Sequence, residues 1–149
     1  MSTSTQDRVA ANLEVVGGIY EAFGRGDVEA ILSVIDPGCA WESWMDNTAQ
    51  NDGIGYLQPR TGPAGVGEFF SAVSQFEIHD FQVTGMFAGG DKVAVEVVIE
   101  ATAPGGGRFR DEELHLYTLS DTGKVTGMRH HVDTAKHIAA NRGEDTTST

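Results

Sequence analysis

Positive charge is scarce in this chain of 149 residues: 10 lysines and arginines stand against 22 aspartates and glutamates, for a formal charge of −12. Such a balance repels phosphate backbones and anionic lipid, so neither nucleic acid nor a membrane surface is an expected partner. Cysteine is nearly absent. Cys39 stands alone and cannot close an internal disulfide, which fits a reducing cytoplasm. No apolar run approaches the roughly 20 residues that cross a bilayer. No charged segment followed by an apolar one opens the chain as an export signal would, so a cytoplasmic location is expected. Proline occurs four times, whereas glycine occurs 19 times.

The polar stretches 1–6 and 141–149 have nothing to bury and are expected to be disordered, leaving one domain over residues 7–140. Apolar residues at Val9, Leu13, Val16, Tyr20 and Phe23 fall on one helical face. Gly17 and Gly18 interrupt that helix at about 1 kcal/mol each relative to Ala, for which close approach to a neighbouring element is the expected return. Asp27 caps a second helix carrying Val28, Ile31, Leu32 and Ile35, which Pro37 and Gly38 stop. A short strand follows at Cys39–Trp44, then a turn-rich segment over 45–62 and a third helix over Ala64–Val73.

The second half reads as strands. Phe76–Phe87, Lys92–Ala103, Arg108–Leu119 and Lys124–Val132 are separated by GGD, PGGG and SDTG, all turn chemistry. The alternation slips between Ile78 and Phe81, as at a β-bulge. A last short helix runs through Ala140. The expected fold is α+β: three N-terminal helices packed on a curved, mostly antiparallel sheet.

Pairing Ala103 with Arg108 and Leu119 with Lys124 sets Glu96 opposite His115 and Glu113 opposite His130. One face then carries Ala94, Glu96, Val98, Glu100, Glu113, His115, Tyr117, Met128 and His130, and the other Val93, Val95, Val97, Ile99, Leu114, Leu116, Arg129 and His131. Two readings follow. Either the valine face is the core and the Glu/His face is wet, or the Glu/His face lines a cavity and the apolar face meets a second copy of the chain.

The stretches IYEAFGRGDVEAILSVIDPGCAWE, RTGPAGVGEFFSAV and ELHLYTLSDTGKVTGMRHHVDT resemble the SnoaL-like branch of the NTF2-like superfamily over roughly residues 8–140. The resemblance implies a conical α+β barrel, a pocket between helices and concave sheet, and a homodimer joined through the sheet. It does not carry over the known catalytic sets. The ketosteroid isomerase base falls on Ser43, its oxyanion-stabilising tyrosine on or beside Ile19, and its neutral aspartic acid on His115. The Arg and two Asp of limonene epoxide hydrolase fall on Glu96, Val98 and His130, and the acid/base aspartate of SnoaL-type cyclases also aligns near His130. Two pocket histidines, as in scytalone dehydratase, are nearer in composition.

An imidazole can take a proton at one nitrogen while donating from the other, and a carboxylate beside it fixes the tautomer. The expected site is therefore His130 as leading base, His115 as acid or oxyanion donor, Glu96 and Glu113 as orienting carboxylates, and Ser43 holding a water or substrate oxygen. Trp41, Trp44, Met45, Tyr56, Phe69, Val98, Tyr117 and Met128 are the expected binding walls. No cofactor is expected, and neither paired cysteines nor HxxxH-like spacing points to a metal. His131 and His137 are read as structural. The expected function is acid/base chemistry on a small apolar organic molecule: isomerisation, dehydration, cyclisation or water addition. A non-catalytic ligand-binding or dimerisation module of the same fold is the alternative.

Overall fold

The structure is a computed structural model that describes residues 4–42 and 44–147. Helix α1 (Thr5–Gly24) is capped by the Ser4 side chain, which accepts from the Asp7 N–H. Helix α2 (Val28–Leu32) is capped in the same way by Asp27. Strand β1 (Ile35–Trp41) follows directly, so Ile35 and Pro37 begin a strand and the second helix is one turn shorter than expected. The segment expected as loop holds a four-residue helix α3 (Thr48–Asn51), a 3₁₀ turn and a two-residue strand β2 (Arg60–Thr61). Helix α4 (Gly62–Val73) begins at a glycine with φ 69°, and a Cβ there would lie 2.7 Å from the Pro37 carbonyl oxygen. Strands β3 (Glu77–Gly89), β4 (Lys92–Thr102), β5 (Arg108–Leu119) and β6 (Val125–His131) form the expected meander, and helix α5 (Thr134–Asn141) closes the described fold.

The six strands make one curved, open sheet in the order β2-β1-β6-β5-β4-β3, with β1 parallel to β6 and every other pair antiparallel. The β3 bulge falls between Ile78 and Asp80, where the alternation slipped. Val16, Ile19 and Ala22 of α1, Ile31 of α2, and Val66 and Phe69 of α4 pack on Val93, Val95, Val97, Tyr117, Leu119, Val125 and Met128 of the sheet. Each fully buried aliphatic side chain contributes about 2 kcal/mol. Among the described residues no helix is long and apolar enough to cross a membrane.

Two expectations are corrected here. Nothing lies within 4 Å of where a Cβ would sit on Gly17 or Gly18, so close approach does not explain them. The β4–β5 hairpin closes one residue tighter than expected, with Thr102 opposite Arg108, because the Ala103 N–H bonds the Gly107 carbonyl. That single step pairs Val95 with His115, Glu96 with Leu114 and Val98 with Glu112, and it turns Glu96, Val98 and Glu100 to the outer face. The β5–β6 hairpin is displaced by two residues, pairing His115 with His130 and Tyr117 with Met128, which leaves their face unchanged. The covered face therefore joins the valines of β4 to the acids and imidazoles of β5 and β6.

Candidate active site

Along β5 the buried residues are Phe109, Asp111, Glu113, His115, Tyr117 and Leu119, alternating with exposed Arg108, Arg110, Glu112 and Leu114. Strand periodicity thus inserts two carboxylates and an imidazole into an apolar face. Buried polar groups are tolerable only when hydrogen-bonded, and these are. Glu113 is the hub. Its Oε1 accepts from His115 Nε2 at 3.0 Å and from His130 Nε2 at 2.9 Å, while its Oε2 lies 3.3 Å from His137 Nε2. His137 Nε2 also reaches Asp111 at 2.9 Å, and its Nδ1 meets the Tyr56 hydroxyl at 2.7 Å.

The partners assign the protons. A carboxylate only accepts, so the hydrogen of a neutral His115 is on Nε2, and Nδ1 accepts from the Tyr20 hydroxyl at 2.5 Å. With its proton committed to His115, Tyr20 accepts from the Tyr117 hydroxyl, 2.9 Å away. His130 differs, because its Nδ1 faces Glu42 at 2.6 Å and its Nε2 faces Glu113. Both nitrogens therefore carry hydrogen, and His130 is the imidazolium of the site.

The electrostatics agree with that division. Burial holds the His115 imidazole below its usual value, against the pull of Glu113 and reinforced by the nearby His130. Burial would lower His130 too, but Glu42 and Glu113 outweigh it and hold the ring well above the usual range. Glu113 is opposed by burial and nevertheless held well below the ordinary carboxylate range by His130, His115 and His137. Burial raises Glu42, with His130 pulling the other way, and raises Tyr20 strongly. Among the described residues, no lysine or arginine forms an ion pair with Glu42, Asp111 or Glu113.

Above this floor lies a cavity of about 90 Å³. Tyr20 and Phe23 of α1, Trp41 of β1, Phe69, Phe70 and Val73 of α4, Phe81 of β3 and Met128 of β6 line it, together with Glu113, His115, Tyr117 and His130. Trp41, Phe69, Tyr117, Met128, His115, His130 and Glu113 are thus brought together as the sequence suggested. Four expected wall residues lie elsewhere. The Trp44 ring packs tilted against that of His131, centroids 4.7 Å apart, Met45 is 61% exposed, Tyr56 bonds His137, and Val98 is on the outer face. Glu96, expected to orient His115, is exposed opposite Leu114. Ser43 lies outside the described residues.

Tyr20, Glu42, Asp111 and His137 were missed. Tyr20 fits the apolar helical stripe, which gives no sign of its hydroxyl's role. Glu42 follows Trp41, so alternation would turn it outward, but its left-handed backbone (φ 62°) carries it inward until it is 1% exposed. Two groupings offer metal-ligand atoms within 4.8 Å of one another, Glu113–His115–His130 and Asp111–Glu113–His137. In both, the carboxylate–imidazole separations of 2.9–3.3 Å are hydrogen bonds that use each Nε2.

Comparison with known proteins fits this architecture. The SnoaL-like domain family matches residues 16–128, and the chain belongs to that family. A solved NTF2-like protein of unknown function from Burkholderia pseudomallei is 22% identical, covering 89% of this chain and 98% of its own, with a TM-score of 0.73. A putative SnoaL-like polyketide cyclase from Jannaschia is 19% identical over 94% of this chain and 96% of its own, with a TM-score of 0.68. TerC, co-crystallised with polyporic acid, is 27% identical over 84% of this chain and 93% of its own, with a TM-score of 0.66. No curated protein matches the chain.

Proposed function

We propose that this protein is an enzyme that moves protons on a small, uncharged, largely apolar organic molecule, with its own side chains as acid and base. The observation that carries the reading is the Tyr20–His115 contact of 2.5 Å on the floor of an aromatic cavity. A substrate proton passes to the Tyr20 oxygen as the Tyr20 proton passes to His115 Nδ1, leaving an imidazolium beside Glu113; reversal returns the proton. The base role expected of His130 passes to this pair, because His130 has no nitrogen free. Among the described residues the lining holds no lysine or arginine and has carboxylates beneath it, which favours a neutral ligand. TerC, co-crystallised with polyporic acid, supports a small organic molecule as the class of ligand.

A second reading rests on the same hydrogen bonds. Every nitrogen of His115 and His130 already has a partner, which suits a rigid ligand-binding module as well. Hydrogen–deuterium exchange separates the two. A panel of small cyclic enones, β-diketones and aryl ketones is incubated in D2O and followed by NMR. Exchange by the wild type that is lost in Tyr20→Phe and His115→Gln supports the enzyme; binding without exchange leaves the module.

A homodimer through the sheet belongs to the same proposal. Phe87, 55% exposed, and Leu114, 38% exposed, share the outer face with half-buried Ala94, Val98 and Leu116. The lone Cys39, buried and pushed up to about 11 by burial, fits a thiol kept unreactive in the cytoplasm.

A further inference from the structure

We infer that Glu42 is a positioning residue: its carboxylate, carried inward by a left-handed backbone, fixes His130 as the cation that keeps His115 neutral and able to take a proton. The inference rests on the acid/base reading for its consequence, but its geometry stands independently.

A non-glycine residue with φ 62° sits where the Cβ crowds its own backbone, and bulky side chains avoid that region. Such strain persists where the surroundings over-determine it, and it concentrates at functional sites. At Glu42 the return is specific. The strained turn reverses the side chain from the solvent side to a position 1% exposed, with Oε1 2.6 Å from His130 Nδ1. Among the described residues the Glu42 carboxylate bonds only the His130 imidazole, and so sparsely partnered a carboxylate is costly to bury, so packing alone does not account for it.

Glu113 holds the other nitrogen of His130, and the ring is thereby clamped between two acceptors. A neutral imidazole has one N–H and cannot satisfy both. The charged and titratable groups around this clamp are Glu113 and His115 on β5, His137 on α5 and the hydroxyls of Tyr20 and Tyr117, with the Phe69 ring edge-on to His130 at 6.0 Å. The rings of His115 and His130 lie 4.6 Å apart, so a positive His130 opposes a second positive charge on His115. Glu42 thus reaches the proton-accepting nitrogen of His115 through His130 and is not among the residues that line the cavity.

The measurement is 15N NMR of the imidazole nitrogens in the free, full-length protein, titrated from acid to alkaline pH. In the wild type, His130 shows the imidazolium pattern at about pH 8, where an ordinary histidine is neutral, while His115 shows the neutral pattern with hydrogen on Nε2. Glu42→Gln keeps the shape and removes the charge. It moves His130 to the neutral pattern at that pH and moves the His115 titration upward, two shifts of opposite sign. Glu42→Gly adopts the left-handed backbone without strain and serves as the second variant; it retains the fold and produces the same pair of shifts. A wild-type His130 that is neutral at about pH 8, or variants whose two histidines titrate as in the wild type, would overturn the inference. Loss of deuterium exchange on the ketone panel has no bearing on this result. If His130 is a clamped cation but no ligand exchanges protons, the positioning role holds and the enzymatic reading fails.

Discussion

Tyr20 on α1 and His115 on β5 meet at 2.5 Å, although 95 residues separate them in the chain. The contact fixes how the first helix lies on the sheet, because the Tyr20 ring also stacks on His115 and Phe81 and meets the Tyr117 ring edge-on. It also makes a one-way chain of donors: Tyr117 to Tyr20, Tyr20 to His115, His115 to Glu113. Removal of the middle link deprives His115 Nδ1 of its donor while leaving Nε2 bonded to the hub.

Tyr20→Phe keeps the ring stacking and deletes two hydrogen bonds. Stability should fall by about 2 kcal/mol, about 1 for each hydrogen bond lost, whereas proton exchange on the ketone panel should fall by about 100-fold or more, the usual reach of a positioned base. Equilibrium urea unfolding and NMR exchange rates measure the two separately. A variant that loses stability but not exchange removes Tyr20 from the chemistry.

Much of this arrangement was legible in the sequence, and the exceptions have identifiable causes. Glycine-rich turns located every hairpin, and alternation along β5 put Glu113, His115 and Tyr117 on one face with Met128 and His130. Alternation could not fix β4. One backbone bond, Ala103 to Gly107, decides whether Glu96 or Val95 stands beside His115, and turn composition is the same either way. Glu42 was hidden because the handedness of a single residue overrides strand periodicity. His137 was hidden because its partner Asp111 is brought to it only by the docking of α5.

Glycines test that docking. A Cβ on Gly107 would lie 2.5 Å from the Ala140 Cα and 2.4 Å from the Glu144 oxygen, so Gly107→Ala should push α5 off the β4–β5 turn at a cost of about 2 kcal/mol. His137 would lose Asp111 and Glu113 together, which a changed His137 NMR titration would register. Gly18→Ala is the contrast. It faces open space in mid-helix and should stabilise by about 1 kcal/mol. Thermal or urea unfolding decides both, and equal effects would remove the special status of the PGGG turn.

The hub sets a pH window for stability. Glu113 is depressed by its histidines, so its contribution is present above the unfolded value of about 4.3 and is lost as pH falls through the lower folded value. His130 and His137 are raised, so theirs is present below about 6.5 and is lost as pH rises through the folded values. The stability maximum should lie between about pH 5 and 6.5. Glu42 and Asp111, raised by burial, act in the opposite sense at the acid end, and His115, lowered by burial, opposes the other histidines below about 6.5, so the informative quantity is the difference from Glu113→Gln. That variant should be less stable by about 3 kcal/mol near neutrality, with a shallower acid decline in urea unfolding. An unchanged pH profile would show that Glu113 is not the hub.

The outer face supplies the remaining test, because it separates assembly from chemistry. Phe87 and Leu114 project away from the helices, on the side of the sheet opposite His115. A lysine at each position places two like charges of a second copy within the same apolar patch, and burial of unpaired charge there outweighs the loss of a few half-exposed contacts. The double variant Phe87→Lys with Leu114→Lys should halve the mass measured by light scattering if the proposed dimer uses this face. Since no floor residue is touched, its Tyr20–His115 exchange rate per chain should stay within about twofold of the wild type, as expected for surface substitutions remote from a site. An unchanged mass would move the dimer contact elsewhere, and a lost exchange rate would mean that the second copy helps to shape the cavity.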